Sequence, residues 1–172
     1  MRRKFAALVA LAGCCAVAQA HAQQLRANAP LVDPDGNRIG NVAISELAQG
    51  VRLFAQAENL PVGVHGFHIH ETGQCNPPDF ESAGGHFNST DAQHGWDNPE
   101  GPHAGDFPNV HVREDGRLAV EYFTTAVTLG EGETSLFDDD GSAIVIHESA
   151  DDYRSDPTGH AGGRIACGVI AR

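Results

Sequence analysis

Three Asp-Gly turns cut this chain into short pieces. They lie in DPDGN at 33–37, REDGR at 113–117 and DDDGS at 138–142, and Asp-Gly readily adopts the positive φ angles of tight hairpin connections. Between turn signals stand segments with strand character: QQLRANAPLV, NVAISEL, GVRLFAQAENL, GVHGFHIHE, NVHVRE, GRLAVEYFTT, SAIVIHE and GRIACGVIA. Beyond residue 22, no stretch of ten or more residues carries a helical period. About eight strands without a helix predict an all-β sandwich or barrel, and 172 residues suffice for one such domain.

Two segments break the rhythm. Residues 72–108 hold five of the nine prolines, three histidines, the one tryptophan and Cys75. A connection this long is either functional or disordered, and its His and Cys content favours function. The second segment, SADDYRSDPTGHAG at 149–162, lies between the last two strands.

The N-terminus, MRRKFAALVALAGCCAVAQAHAQQ, has a basic start, an apolar run from Phe5 to about Ala18 and small residues in A-x-A spacing up to Ala22. Residues 1–22 therefore read as a secretory signal peptide, too short for a transmembrane span, and residues 23–172 as the exported domain. A second reading takes LAGC, Leu11 to Cys14, as a lipoprotein box with Cys14 as the lipid anchor. The apolar run continues past Cys14 to a conventional cleavage site, which favours the first.

Cleavage after Ala22 leaves 8 basic and 23 acidic residues, so the net charge falls from −12 to 8 − 23 = −15; Lys4, the only lysine, is lost. So acidic a surface repels nucleic acid and anionic membranes, which are excluded as partners. Cleavage also leaves Cys75 and Cys167 as the only cysteines, and two cysteines in an exported chain read first as one disulfide.

Residues 65–71, HGFHIHE, raise the question of a metal. On a strand, His68 and His70 share one face and His65 takes the other. His86, His94, His103 and Asp106 follow in the long loop, and His147 on a late strand. Any one of these alone fits a hydrogen-bonded or solvated side chain. Together, seven imidazole and carboxylate ligands suit copper and zinc and suffice for two ions, and metal ligation would order a loop otherwise costly to order.

HGFHIHE, SAGGHFNSTDAQHG, EGPHAGDFPNV, VIHESADD and GGRIACGVI resemble, in order, the motifs of the Cu/Zn superoxide dismutases, particularly the exported bacterial branch, over roughly Leu31 to Ala171. The resemblance implies an eight-stranded Greek-key β-sandwich or barrel with two long functional loops, and a periplasmic antioxidant enzyme acting on superoxide. It further implies copper held by His68, His70, His86 and His147, and zinc held by His86, His94, His103 and Asp106, with His86 bridging both. Arg164 is implied as the catalytic arginine, its charged fork suited to docking a small anion; a surface ion pair with Asp151 or Asp156 is its structural alternative. Asp151 is implied as the carboxylate joining His68 and His94, with Asp152 a solvated acid, and Cys75–Cys167 as the disulfide. A homodimer is compatible with the resemblance, but the sequence does not mark its surfaces.

Three histidines of the exported domain stay outside this set. His65 reads as a hydrogen-bonding brace and His111 as exposed. His160, four residues before Arg164, either modulates anion access or is surface. A metal carrier of the same fold would be expected to have a broken ligand set or to lack the arginine, and a zinc hydrolase needs an open zinc position and a base motif such as H-E-x-x-H; none of these conditions is met. Relatives commonly carry lysines near the copper mouth. With no lysine here, and Arg154 the only other cation in the last loop, the encounter with an anion is expected to be slower or to depend differently on salt.

Overall fold

Alternation of apolar and polar residues builds the strands, as the β1 burial pattern shows: Ala27, Ala29 and Leu31 point inward and their neighbours outward. The computed structural model describes residues 24–172; the expected signal segment 1–22, with Cys14, lies outside them. The strands are β1 Arg26–Val32, β2 Arg38–Leu47, β3 Gly50–Ala57, β4 Gly63–His65, β5 Phe67–His70, β6 Val110–Val112, β7 Leu118–Thr124, β8 Ala143–His147 and β9 Arg164–Val169, with one 3-10 turn at Glu81–Ala83. Seven form an antiparallel sheet in the order β5-β8-β9-β1-β2-β3-β7, and β4 pairs with β6. β4 runs into β5 through Gly66, while β6 runs into β7 through the Arg113–Arg117 turn. The small pair thus links the two edge strands of the large sheet, and the all-β barrel closes. Pairing of β3 with β7 and of β5 with β8 gives the non-consecutive neighbours of a Greek key.

The expected fourth strand, GVHGFHIHE, is two. It breaks at Gly66, whose N–H donates to Ser149 O and whose carbonyl accepts from His147 N, so eight expected strands become nine. A Cβ at Gly66 would press on Ala161 and on the His68 ring. A third long connection, residues 125–142, joins β7 to β8 and was not anticipated beyond its Asp-Gly turn. It buries Val127, Leu129 and Leu136 in the main core, and Glu46 Oε2 fastens it by accepting from Leu129 N at 2.7 Å.

Cys75 and Cys167 form the disulfide, with Cα atoms 5.7 Å apart, tying the long loop to β9 across 92 residues of chain. By chain entropy, a loop of that length is worth about 4.6 kcal/mol. Urea unfolding of a Cys75→Ser/Cys167→Ser variant is expected to show a loss of about 2–5 kcal/mol. A loss below about 0.5 kcal/mol would mean that the loop is held equally well without the bond.

Candidate metal centre

The site forms where the long loop adds backbone pairing to β5. Ile69 N donates to Gly105 O, Phe87 N to Ile69 O and Gly105 N to Phe87 O, each at 2.8–2.9 Å. His70 is thereby set opposite His86, and His68 opposite Asp106. Gly105 is required by this approach, because a Cβ there would collide with the Ile69 carbonyl. Phe67 and Ile69 fill the apolar core while His68 and His70 face the loop, so both faces of β5 are buried.

Two four-residue clusters result, one of His68, His70, His86 and His147 and one of His86, His94, His103 and Asp106, with a third group of His68, His94 and Asp151 between them; within each, the potential ligand atoms lie within 4.8 Å of one another. Every member is buried. In the first cluster, hydrogen bonds decide which ring nitrogen faces inward. His68 Nε2–H donates to Asp151 Oδ2 at 2.8 Å, leaving Nδ1 with no partner. His70 Nδ1–H donates to Gly84 O at 3.0 Å, and His147 Nδ1 lies 3.4 Å from Gly162 O. The Nε2 atoms of His70 and His147 lie 3.2 Å apart, close enough to share one ring proton in a hydrogen bond or to hold a cation between them.

In the second cluster, His94 Nε2–H donates to Asp151 Oδ1 at 3.0 Å, while its Nδ1 lies 3.0 Å from Asp106 Oδ2 without hydrogen-bond alignment. His86 Nδ1 is 2.8 Å and His103 Nδ1 3.3 Å from Asp106 Oδ1. His86 therefore turns Nδ1 to the second cluster, and its other nitrogen, Nε2, is buried without a hydrogen-bond partner. Buried polar atoms normally find partners, so unpartnered lone pairs on His68 and His86 among converging donors fit metal ligation. An all-imidazole set beside a set of three imidazoles and one carboxylate suits copper and zinc.

Asp151 joins the clusters and is itself held. Asn109 brackets its backbone, Oδ1 accepting from Asp151 N at 2.8 Å and Nδ2 donating to Asp151 O at 2.9 Å. Tyr153 N donates to Asp151 Oδ1 at 2.6 Å, and Tyr153 OH accepts from Asn109 N at 2.7 Å. Sequence reasoning missed Asn109, because its partner lies 42 residues away and only the amide in FPNV hints at such a role. Arg164 pairs with neither Asp151 nor Asp156; it donates to Phe80 O at 2.6 Å and Gly84 O at 2.7 Å. Gly84 O also accepts from His70, and the positive charge of Arg164 is felt at both His70 and His147. His65 is a brace, its ring set between two carbonyls with Nδ1 2.9 Å from His147 O and Nε2 3.0 Å from Pro61 O. His111 is exposed, and His160, 82% exposed, pairs with Asp152 at 3.1 Å, outside both clusters.

The profile of the copper/zinc superoxide dismutase family matches residues 38–170. The chain belongs to the copper/zinc superoxide dismutase family. It is 49% identical over 151 residues to superoxide dismutase [Cu-Zn] 1 of Aquifex aeolicus, covering 87% of this chain and 89% of that one. Among solved structures, a SOD-like protein from Bacillus subtilis is 41% identical with a TM-score of 0.81, covering 84% of this chain and 97% of that one. The Cu/Zn superoxide dismutase from Brucella abortus is 28% identical with a TM-score of 0.69, covering 86% and 100%.

Electrostatics of this dismutase-family site give a pH expectation for protein freed of metal by chelation. Burial, then the neighbouring histidines, push His86 down to about 4 and His147 to about 3 from the ordinary 6.5, and the same causes hold His70 well below it. For these three the unfolded chain binds protons first, so their contribution to stability is whole above 6.5 and is lost as pH falls toward 3. His94 has the opposite sign: burial lowers it, but Asp106 and Asp151 outweigh burial and raise it to about 9, so its contribution is whole below 6.5 and is lost as pH rises through 9. Urea midpoints of the chelated protein should therefore fall between pH 6.5 and 4; a flat profile would mean that these rings are solvated.

Proposed function

We propose that this protein disproportionates superoxide, converting two superoxide ions and two protons to dioxygen and hydrogen peroxide, with His68, His70, His86 and His147 holding copper and His86, His94, His103 and Asp106 holding zinc. The observation that carries the reading is His86, one ring shared by two buried ligand clusters. When bound, copper supplies the alternating one-electron exchange and zinc a fixed positive charge. The rest is the work of the chain.

Arg164 keeps its guanidinium beside the copper set through two backbone carbonyls rather than a carboxylate, so its charge stays free to dock a small anion. His86 Nε2, buried and without a hydrogen-bond partner, is the atom at which a proton is taken up and given back. Asp106 anchors the opposite side of that ring. Asp151 fixes the tautomers of His68 and His94, presenting Nδ1 of each as a lone pair. The leader 1–22 and the disulfide support export, most simply to a bacterial periplasm.

The test is metal content and superoxide turnover on one sample of mature protein. About one copper and one zinc per chain, with turnover lost on chelation and restored by adding both ions back, is expected. Full reconstitution without turnover would reduce the reading to a metal carrier on this fold.

With a mature charge of −15, rising salt screens the repulsive shell as well as the attraction of Arg164. As the Debye length shortens from about 30 Å at about 0.01 M salt to about 8 Å at about 0.15 M, kcat/KM is expected to stay flat or rise. A steep fall would show attraction dominating the approach.

A further inference from the structure

Of the eight arginines left after cleavage, three gather at one cleft away from the metal clusters. Arg38, Arg113 and Arg117 line a cavity of about 600 Å³ that shares no residue with either cluster. Strand register explains the gathering: Gly40 of β2, Ala57 of β3 and Leu118 of β7 lie side by side, so the ends bearing Arg38, Glu58 and Arg117 meet. One row further in, the outward side chains are Asn41, Gln56 and Ala119, which leave the floor low and polar.

Carboxylates outnumber arginines 23 to 8 in the mature protein, yet among the described residues Arg38 and Arg117 have no ion-pair partner, and Arg113 meets only Asp115, at 3.2 Å. Glu58 is the one carboxylate lining the cleft. Guanidinium groups present planar forks that match phosphate oxygens two at a time.

We infer that this cleft binds a small ligand carrying more than one phosphate group. The net charge selects for smallness: an extended polyanion or an anionic bilayer would meet the acidic surface beyond the cleft, whereas a compact oligophosphate meets three arginines against the single lining carboxylate Glu58. Gln56 adds a neutral donor on the floor.

The probe is inorganic tripolyphosphate, titrated calorimetrically into the metal-loaded protein, with metal content checked afterwards. Saturable one-to-one binding is expected, weakened about tenfold or more by Arg38→Gln or Arg117→Gln and about twofold or less by Arg26→Gln, which removes the same charge elsewhere. All three side chains are exposed, so folding is preserved. Absence of saturable binding overturns the inference, as does equal weakening by Arg26→Gln, which would reveal a response to bulk charge. Co-sedimentation with phosphatidylglycerol vesicles, lost in Arg38→Gln, would overturn the small-ligand assignment in favour of a lipid headgroup.

Discussion

Replacing His86 with alanine is expected to lower superoxide turnover by at least about 100-fold, since altering groups that merely orient ligands already costs 10–100-fold. No other side chain belongs to both ligand clusters. The substitution takes one donor from each, removes the atom assigned to the proton, and leaves Asp106 Oδ1 without its 2.8 Å partner. His103→Ala is the informative comparison, because His103 belongs to the second cluster alone. It should weaken zinc while sparing copper, whereas His86→Ala weakens both. Turnover by rapid mixing, with metal analysis of the same samples, reads the difference. A His86→Ala protein with both metals and near-normal turnover would refute the shared-ligand assignment.

Asp151→Asn is nearly isosteric, yet a loss of about 10–100-fold in metal affinity is expected. The carboxylate accepts from His68 Nε2–H on one oxygen and from His94 Nε2–H on the other. An amide accepts with one atom and donates with the other. One histidine must then turn its lone pair toward the amide N–H and carry its own proton on Nδ1, the atom that faces the cluster. That proton blocks ligation. Competition with a chelator measures the loss, and unchanged retention of both metals would mean that the rings are oriented without Asp151. Asn109 continues to hold the backbone here, so the change isolates the carboxylate from the fold.

How much of this was readable beforehand differs element by element. The strands were legible because their signal is local: alternation in β1 and β3, and turn residues such as Asp33, whose Oδ1 accepts from Asp35 N and Asn37 N before Gly36 turns the chain at φ 81°. The break at Gly66 was not, because it arises from contacts with residues 147, 149 and 161, all far along the chain. The buried connection 125–142 was missed because its few apolar residues, Val127 and Leu129 then Leu136 and Phe137, are separated by Gly, Glu, Thr and Ser and carry no sustained period.

The same division holds at the site. By itself the sequence determined which residues could bind metal, since imidazole and carboxylate chemistry belongs to the side chain wherever it sits, and the ordered motifs placed them in a family. Only the tertiary structure decided which nitrogen of each ring faces inward, because that depends on a partner elsewhere in the chain: Asp151 for His68 and His94, Gly84 for His70. It likewise replaced the carboxylates weighed as partners of Arg164 with the carbonyls of Phe80 and Gly84. A ligand's identity is a property of one residue. Its tautomer, burial and aim are set by neighbours that folding brings together from dozens of residues away.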